Sequence, residues 1–301
     1  MSKFSRSKPF YLVTYLILRF IASLSSIGPL SWVNTKGKIL GWLYRTIDNK
    51  HYKRTIENLS ISFPEKNKNE IIKIAKDNYI SLGISIIELF NLNKIYKKYK
   101  NKVRFINKDL INQALAKGNG VIIATGHISN WELTGLLSAL DGLPFNAIAR
   151  PIDNPYLNIW INKIRQKFGG NIISKWGAVK GSLKALKKGE IVTVLMDQDA
   201  GKEGIMSMFF GRKASTIPLV PLLAQRTKAP ILIAYGNREI DGSYTIIIEK
   251  EIPLDLTTSR KETLAKTTHL CTKALEDIIR KKPSIWLWMH RRWKTQNDQK
   301  L

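Results

Sequence analysis

Cysteine is almost absent from this sequence, which has a single one, Cys271, among 301 residues. One thiol can neither close an internal disulfide nor build a cysteine metal cluster, so nothing in the chain requires an oxidising compartment. The chain also lacks a Walker G-x-x-x-x-G-K-[ST], a G-x-G-x-x-G behind a strand, a G-x-S-x-G elbow and H-E-x-x-H. These absences argue against nucleotide-dependent enzymes, serine hydrolases and zinc proteases.

Acidic residues are scarce as well. The chain has 23 Asp and Glu against 49 Lys and Arg, which gives a formal net charge of +26. A surplus of this size indicates an acidic partner, which can be nucleic acid, anionic lipid or an acidic protein. Charge alone does not choose among them. The apolar fraction of 44% is that of a folded protein, and no repeat or Pro/Gly/Ser linker divides the chain.

One long apolar run, FYLVTYLILRFIASLSSI at 10–27, follows a basic segment at 1–9 and is interrupted by Arg19. An Arg in the middle of a spanning helix costs roughly 2.5 to 3.5 kcal/mol on insertion scales, so partial embedding competes with a span. A cleaved signal peptide lacks its A-x-A site here, and a buried amphipathic helix is the remaining alternative. We predict a membrane-associated helix over 1–30, with its basic flank in the cytoplasm.

The rest of the chain, 31–301, is predicted as a single α/β domain with N-terminal helices. Helical periodicity covers 35–59 and 68–92. Short apolar runs then alternate with helical segments, which is typical of βαβ units and a mainly parallel central sheet flanked by helices. The predicted strands are 121–124, 145–149, 171–173, 191–196, 231–235 and 244–248. The predicted helices in this part are 154–168, 179–187, 219–227 and 260–281.

A polar loop joins the first of these strands to a helix within VIIATGHISNWELTGLLSAL. Ser129 or Asn130 can cap this helix, and Glu132 then lies in its first turn, where the helix dipole favours a carboxylate. From there Glu132 can hydrogen-bond His127, whose imidazole becomes a general base with a fixed tautomer. The alternative is a turn histidine beside an ordinary first-turn glutamate, and from these two residues alone this alternative is favoured.

Polar residues follow three of the predicted strands. His127 follows the first, Arg150 the second, and DQDAG at 197–201 comes after the run at 191–196. Ligands bind outside the carboxyl ends of such strands, so we expect these residues at one edge of the sheet. Arg150 can hold a phosphate or carboxylate there, or form an ion pair with Asp197 or Asp199. No further ligand stands at metal spacing, so the two acids are predicted to be buried, with hydrogen-bonding and orienting roles.

A base with an acid partner and no protein nucleophile suits direct transfer, in which His127 deprotonates a hydroxyl that attacks an activated acyl carbonyl. GHISNWEL resembles the H-x-x-x-x-[DE] motif of the glycerolipid acyltransferase superfamily. Four further motifs follow in order: ARP at 149–151, KFGG at 167–170, LMDQDAGKEGIMSMFFGR at 195–212 and WLWMHRRWKT at 286–295. Together they resemble the bacterial lipid A biosynthesis acyltransferases over nearly the whole chain.

This resemblance implies that an acyl chain passes from acyl carrier protein, or another acyl thioester donor, to a hydroxyl of a lipid A precursor of the Kdo-lipid IVA type. It implies attachment to the cytoplasmic face of the inner membrane and no cofactor or metal. It also implies that His127 is the base and Glu132 its partner, with Arg150, Asp199 and Asn130 in substrate-binding motifs.

Several alternatives stay open beside this interpretation. Related enzymes with GH-x-x-NWE motifs acylate phosphatidylinositol mannosides, so another glycolipid acceptor is possible. A basic nucleic-acid-binding protein fits the charge, but neither the apolar run nor the absence of a nucleic-acid motif supports it. A non-catalytic membrane scaffold leaves the His-Glu pair unexplained. The indoles of Trp286, Trp288 and Trp293 are predicted either at the membrane interface or in the core.

Overall fold

The computed structural model of the chain describes residues 7–100, 103–256 and 259–298. Its helices are α1 (Lys8–Ser25), α2 (Trp32–Ile47), α3 (Asn49–Ser62), α4 (Lys68–Phe90), α5 (Leu92–Tyr99), α6 (Lys108–Ala116), α7 (Trp131–Leu140), α8 (Pro155–Lys167), α9 (Ala178–Lys187), α10 (Leu219–Thr227), α11 (Arg260–Lys281) and α12 (Lys294–Asp298). Its strands are β1 (Arg104–Ile106), β2 (Val121–Thr125), β3 (Phe145–Ala149), β4 (Asn171–Ser174), β5 (Ile191–Leu195), β6 (Ile205–Phe209), β7 (Arg212–Thr216), β8 (Ile231–Arg238) and β9 (Tyr244–Ile252). Most of the predicted basic N-terminal flank, residues 1–6, lies outside the described residues.

Seven strands form one sheet in the order β1-β9-β8-β2-β5-β3-β4, and β6 pairs with β7 in a separate antiparallel hairpin. Every pairing of the large sheet is parallel except that of β8 with β9. Between β2 and β5 the register sets Thr125 opposite Leu195. Residues that follow these two strands at the same distance therefore emerge side by side at the carboxyl edge, where ligands bind in such sheets.

Helices cover both faces of the sheet, so its central strands are apolar on both sides. All five residues of β2 are buried. Its alternate residues point to opposite faces. Ile122 and Ala124 join a core with residues of α9, α10 and α11, whereas Val121 and Ile123 join a core with residues of α5, α6 and α7.

The predicted α/β class with a mainly parallel sheet is confirmed, and each of the six predicted strands overlaps an observed one. The helical periodicity predicted over 35–59 is confirmed, but the stretch is interrupted. It is two helices, because Asp48 leaves the helical conformation and caps α3 by accepting from the His51 backbone N–H at 3.3 Å. The sequence prediction missed β1, which has only three residues, and the β6–β7 hairpin, whose turn residues Phe210 and Gly211 both have positive φ.

Helix α1 is held along one side by the beginning of α8. The side chain of Asn154, which caps α8, donates to the Tyr11 carbonyl at 2.8 Å and to Thr14 Oγ1 at 3.0 Å. Arg19, which interrupts the apolar run, lies with its guanidinium carbon 5.1 Å from the centre of the Trp160 ring on α8. The one charge within the apolar run 10–27 is therefore used in a contact with the rest of the protein.

Lysine side chains secure the other end of α1. Lys36 Nζ donates to the carbonyls of Ser25 at 3.0 Å and Ile27 at 2.6 Å, and Lys94 donates to two further carbonyls of the same turn. Cations are favoured at helix C-termini, so both contacts suit the helix dipole. Large apolar side chains of α1 remain exposed: Leu12, Val13, Leu16, Ile17, Phe20, Ile21 and Leu24. No helix in the described ranges combines the length and hydropathy of a transmembrane span.

Candidate active site

His127 and Asp197 stand side by side at the carboxyl edge of the sheet, each two residues beyond its strand. His127 Nδ1 lies 2.8 Å from Asp197 Oδ1, and the His127 backbone N–H donates to Asp197 Oδ2 at 2.6 Å. An ionised carboxylate only accepts hydrogen bonds, so Nδ1 carries the hydrogen and donates. The imidazole is thereby held in the tautomer whose Nε2 carries no hydrogen and can accept one.

Asp197 is buried, with 2% of its surface exposed, and it also accepts from the Trp286 indole N–H at 2.7 Å. Burial raises the pKa of the Asp197 carboxyl, but the charge of His127 and the hydrogen bonds from His127 and Trp286 outweigh it and hold this pKa well below its usual range. Gly126 is needed for this close approach, since a Cβ there would lie 2.8 Å from Asp197 Oδ2. The carboxylate is thus a fixed charge behind the imidazole.

The other nitrogen of His127 is met by Gln198, whose Nε2 lies 3.3 Å away and also lies 3.3 Å from His290 Nε2. Burial lowers the pKa of His290 to about 4; the charge of His127 and that of Arg54 add to this shift, and Asp197 opposes it. His290 is therefore neutral at pH 7. The edge of the sheet holds two imidazoles, only one of which has a carboxylate partner at its ring.

The segment 285–293 forms one wall of this site. Its backbone pairs with the loop after β2, because the Ser129 N–H donates to the Ile285 carbonyl at 2.7 Å and the Leu287 N–H to the His127 carbonyl at 3.2 Å. Its three indoles are at most 3% exposed: Trp286, Trp288 and Trp293. The prediction of core packing is confirmed and that of a membrane interface is wrong, because this pairing turns the segment into the protein.

A cavity of about 720 Å³ is lined by His127 and extends between α7 and the sheet. Its apolar lining includes Ile123, Leu136, Leu143, Phe145, Ile191 and Ile246. Its charged and amide lining consists of Glu132, Arg150, Arg165, Asn171, Lys175, Gln198, Asp199 and Glu203. The volume is that of a small-molecule site, and its lining suits a substrate with a long hydrocarbon part. Within the described residues, no three His, Cys, Asp or Glu side chains gather as metal ligands.

A histidine of fixed tautomer beside an apolar cavity is compatible with transfer of a fatty acyl group. A family profile described as "Bacterial lipid A biosynthesis acyltransferase" matches residues 2–295. The chain belongs to this family. Its members are acyltransferases, so this protein is an enzyme of lipid A biosynthesis.

Named relatives agree with the family over most of their length. The acyltransferase is 24% identical to Lipid A biosynthesis acyltransferase 2 of Shigella flexneri, over 96% of this chain and 92% of that protein. It is 28% identical to a Lipid A biosynthesis acyltransferase of Haemophilus influenzae, over 88% and 85%. It is 26% identical to the Lipid A biosynthesis lauroyltransferase of Escherichia coli (strain K12), over 86% and 84%.

Glu132 lies in the first turn of α7 of this acyltransferase, as predicted, but its partner is Arg165. Arg165 Nε donates to Oε1 at 2.5 Å and Nη2 to Oε2 at 3.0 Å. The predicted hydrogen bond between the His127 ring and the Glu132 carboxylate is wrong, because the neighbouring strand brings Asp197 to the ring nitrogen Nδ1. Glu132 and Arg165 line the cavity together with His127, so a part for Glu132 in the reaction stays a prediction.

Arg150 and Asp199 also line the cavity. The Arg150 side chain is 61% exposed and pairs with Asp153 at 2.7 Å. The alternative of an ion pair with Asp197 or Asp199 is wrong, because Asp197 is enclosed by its own donors and Asp199 accepts from the Thr295 hydroxyl at 2.7 Å. The substrate-binding roles of Arg150 and Asp199 stay predictions.

Asn130 caps α7, as predicted, by accepting from the Leu133 N–H at 3.1 Å. Its side-chain nitrogen donates to Glu88 Oε2 at 2.8 Å and to the Ser85 carbonyl at 3.3 Å. Glu88 in turn is ion-paired with Arg238 at 2.7 Å. Asn130 is 2% exposed and is not among the residues that line the cavity, so the structure gives it no surface for the predicted substrate contact.

Two polar residues of the site, Gln198 and His290, were not predicted as functional. Asp197 and His127 each lie two residues beyond a parallel strand. Counting residues beyond both strands would therefore have pointed to Asp197 and to its neighbour Gln198. His290 carries no such signal, because it reaches the site through the pairing of 285–293 with a loop formed far earlier in the chain. Asp197 was predicted to be buried and to orient another group by hydrogen bonding. Its burial and hydrogen bonds are confirmed, but the prediction did not name His127 as its partner.

Proposed function

We propose that this enzyme transfers a fatty acyl chain from the thioester of acyl carrier protein to a hydroxyl of a lipid A precursor of the Kdo-lipid IVA type. One observation carries the proposal: His127 is held through Nδ1 by the buried Asp197, and it lines the 720 Å³ cavity. A carboxylate behind an imidazole is a recurrent way to prepare a general base for acyl transfer. Membership of the family supports a lipid A precursor as the acceptor.

His127 is the general base of the proposed reaction. Its Nε2 takes the proton of the acceptor hydroxyl while that oxygen bonds to the thioester carbonyl carbon. The carbon–sulfur bond then breaks, and the proton passes from His127 to the departing thiolate. Asp197 stabilises the imidazolium between these steps, and such proton transfer typically contributes about 10² to 10⁴ in rate.

The cavity between α7 and the sheet is proposed to hold the acyl chain. Its apolar lining supports this, because burying a methylene group contributes about 0.8 kcal/mol to binding. Phe145 reaches this space because Gly135 on α7 has no side chain; a Cβ there would lie 2.9 Å from the ring. The aromatic ring can therefore act as a wall of the acyl site.

Basic groups at the site suit phosphate-bearing substrates. Arg150 is exposed where it lines the cavity, and its partner Asp153 is itself exposed, so a phosphate can compete for the guanidinium. Glu132 is proposed to act by holding Arg165 in the cavity wall. Asp199 is proposed to act by fixing the turn next to Gln198 through Thr295. The net charge of +26 favours an acidic carrier protein as donor.

We propose that the enzyme works on the cytoplasmic face of the inner membrane, with α1 lying along the bilayer surface. Its C-terminal turn and its Arg19 are held by the protein, while a row of its apolar side chains is exposed. Helix α2 adds exposed apolar side chains: Trp32, Ile39, Trp42, Leu43 and Ile47. Exposed Lys38 lies among these, and such helices bind anionic lipid through apolar burial and charge.

The test is acyl transfer by purified protein from an acyl carrier protein thioester to the lipid A precursor, followed by mass spectrometry. His127→Ala should lower the rate by at least about 10². His269→Ala is the matched control, because His269 is exposed on α11 and should leave the rate unchanged. Ordinary turnover by His127→Ala would refute the mechanism. A phosphatidylinositol mannoside is offered to the enzyme in a parallel reaction. If it is acylated and the lipid A precursor is not, the proposed acceptor is wrong.

A further inference from the structure

The amide of Gln198 covers the nitrogen that the base uses. Gln198 Nε2 lies 3.3 Å from His127 Nε2 and 3.3 Å from His290 Nε2, and the two ring centres are 5.0 Å apart. Since His127 Nδ1 donates to Asp197, its Nε2 can only accept. The amide NH₂ of Gln198 therefore donates to it, and the lone pair meant for the substrate proton is already hydrogen-bonded within the protein.

Gln198 has a fixed backbone and an exposed side chain. Its carbonyl accepts from Arg292 Nη1 at 2.9 Å, and Arg292 is 1% exposed and also donates to the Ser215 carbonyl. The Gln198 side chain, in contrast, lies at the surface and lines the cavity. Rotation about its own side-chain bonds can take the amide off His127 and return it, without displacement of the backbone.

His290 supplies the second contact that holds this amide. An amide NH₂ has two hydrogens, so it can donate to both imidazoles at once. His290 is neutral, and its Nε2 is able to accept. Its own backbone is tied to α3, because Asn58 Nδ2 donates to the His290 carbonyl at 3.1 Å. Gln198 is thus held over the base by a partner that does not itself contact Asp197.

We propose that Gln198, held by His290, closes the base to water until the acceptor hydroxyl displaces the amide from His127. This inference rests on the proposed role of His127 as base. Without the amide, water could give its proton to His127 Nε2 while its oxygen bonds to the thioester carbon. The carbon–sulfur bond would break, the thiolate would take the proton, and the acyl chain would leave as free fatty acid.

The acceptor lipid differs from water in the binding energy that is available to displace the Gln198 amide from His127. Its remote groups contact the enzyme, and that binding energy can offset the loss of the Gln198 contact, whereas a water molecule has no such contacts. The amide therefore favours the hydroxyl acceptor over water. Gln198 and His290 are positioning residues in this account, since they act through His127.

The experiment measures two products, free fatty acid and acylated lipid, in one reaction with the acyl carrier protein thioester and the lipid A precursor. Gln198→Leu and His290→Phe should each raise the ratio of fatty acid to acylated lipid about two- to tenfold. This factor corresponds to the net free energy of one hydrogen bond. His290→Gln keeps an acceptor for the amide and should restore the ratio. Partial unfolding lowers both products equally, so it leaves the ratio unchanged.

An unchanged ratio in Gln198→Leu and in the smaller Gln198→Ala would overturn the proposal. A ratio that rises in these two but not in His290→Phe would remove His290 from it. Failure of the underlying mechanism is distinguishable, because His127→Ala would then form both products at the ordinary rate, whatever the Gln198 variants do.

Discussion

Replacement of Asp197 by asparagine separates the charge of this side chain from its shape. Asp197 Oδ2 accepts from the His127 backbone N–H and the Trp286 indole N–H, so the asparagine oxygen is drawn to that side. Its NH₂ then faces His127 Nδ1 and donates to it. The ring hydrogen must move to Nε2, and His127 loses the lone pair that the proposed mechanism requires to accept the substrate proton.

The expected loss is large. In serine proteases, where a buried Asp holds the catalytic His in the same way, the Asp→Asn change lowers kcat about 10⁴-fold. That factor corresponds to about 5 kcal/mol in the barrier. The assay is the initial rate of lipid acylation from the acyl carrier protein thioester, with thermal unfolding of the same sample. Asparagine keeps all three hydrogen bonds but loses the charge that stabilises the folded state, so the Tm should fall, and the rates are compared at a temperature at which both proteins are folded.

Asp141→Asn is the matched control for this variant. Asp141 forms a partly exposed ion pair with Lys108, at the far end of α7 from His127. Such pairs contribute about 0 to 1 kcal/mol to stability, and the rate should stay within about twofold. An Asp197→Asn enzyme that keeps a tenth or more of the wild-type rate would refute the tautomer argument.

Three further outcomes are expected. Glu132→Gln keeps hydrogen bonds to Arg165 but loses the charge, so kcat/KM should fall about tenfold; a loss as large as that of Asp197→Asn would return the orienting role to Glu132. The pKa of His290 is about 4 in the folded protein against 6.5 as the ordinary value, so protons favour the unfolded state between these limits. Stability to urea should therefore fall by about 2 kcal/mol from pH 7 to pH 5 and this part should vanish in His290→Gln; an equal fall in the variant would contradict it. Phe20→Asp, on the exposed side of α1, should weaken flotation with phosphatidylglycerol vesicles at least about tenfold, and unchanged flotation would contradict surface attachment by α1.

The edge of the sheet was predictable because its strands are apolar runs that end in polar residues. The runs at 121–125 and 191–194 are buried, and parallel strands deliver the residues after their carboxyl ends to the same side. The partner of His127 was not predictable in this way. Sequence proximity favoured Glu132, whereas the strand order makes β5, which carries Asp197, the direct neighbour of β2. Strand order is a property of long-range packing that local patterns do not contain.

Aromatic residues among basic ones were equally ambiguous. The pattern WLWMHRRW is typical of a membrane interface and also of a core segment with charged neighbours. Its burial follows from backbone pairing with the loop after β2 and from polar partners for the indoles, such as Asp197 for Trp286. Arg292 is buried too, where three acceptors meet it. None of these partners is close in sequence, so only the folded chain reveals them.

The contact between Trp286 and Asp197 spans 89 residues, and this separation orders events during synthesis of the chain. All nine described strands precede residue 253, so the sheet has its full set of strands before the indole leaves the ribosome. Until then Asp197 lacks one of its donors and the loop of His127 lacks its pairing partner. A growing or prematurely ended chain that lacks the segment 285–293 therefore has every described strand of the sheet but lacks the contacts that fix Asp197 and the loop of His127.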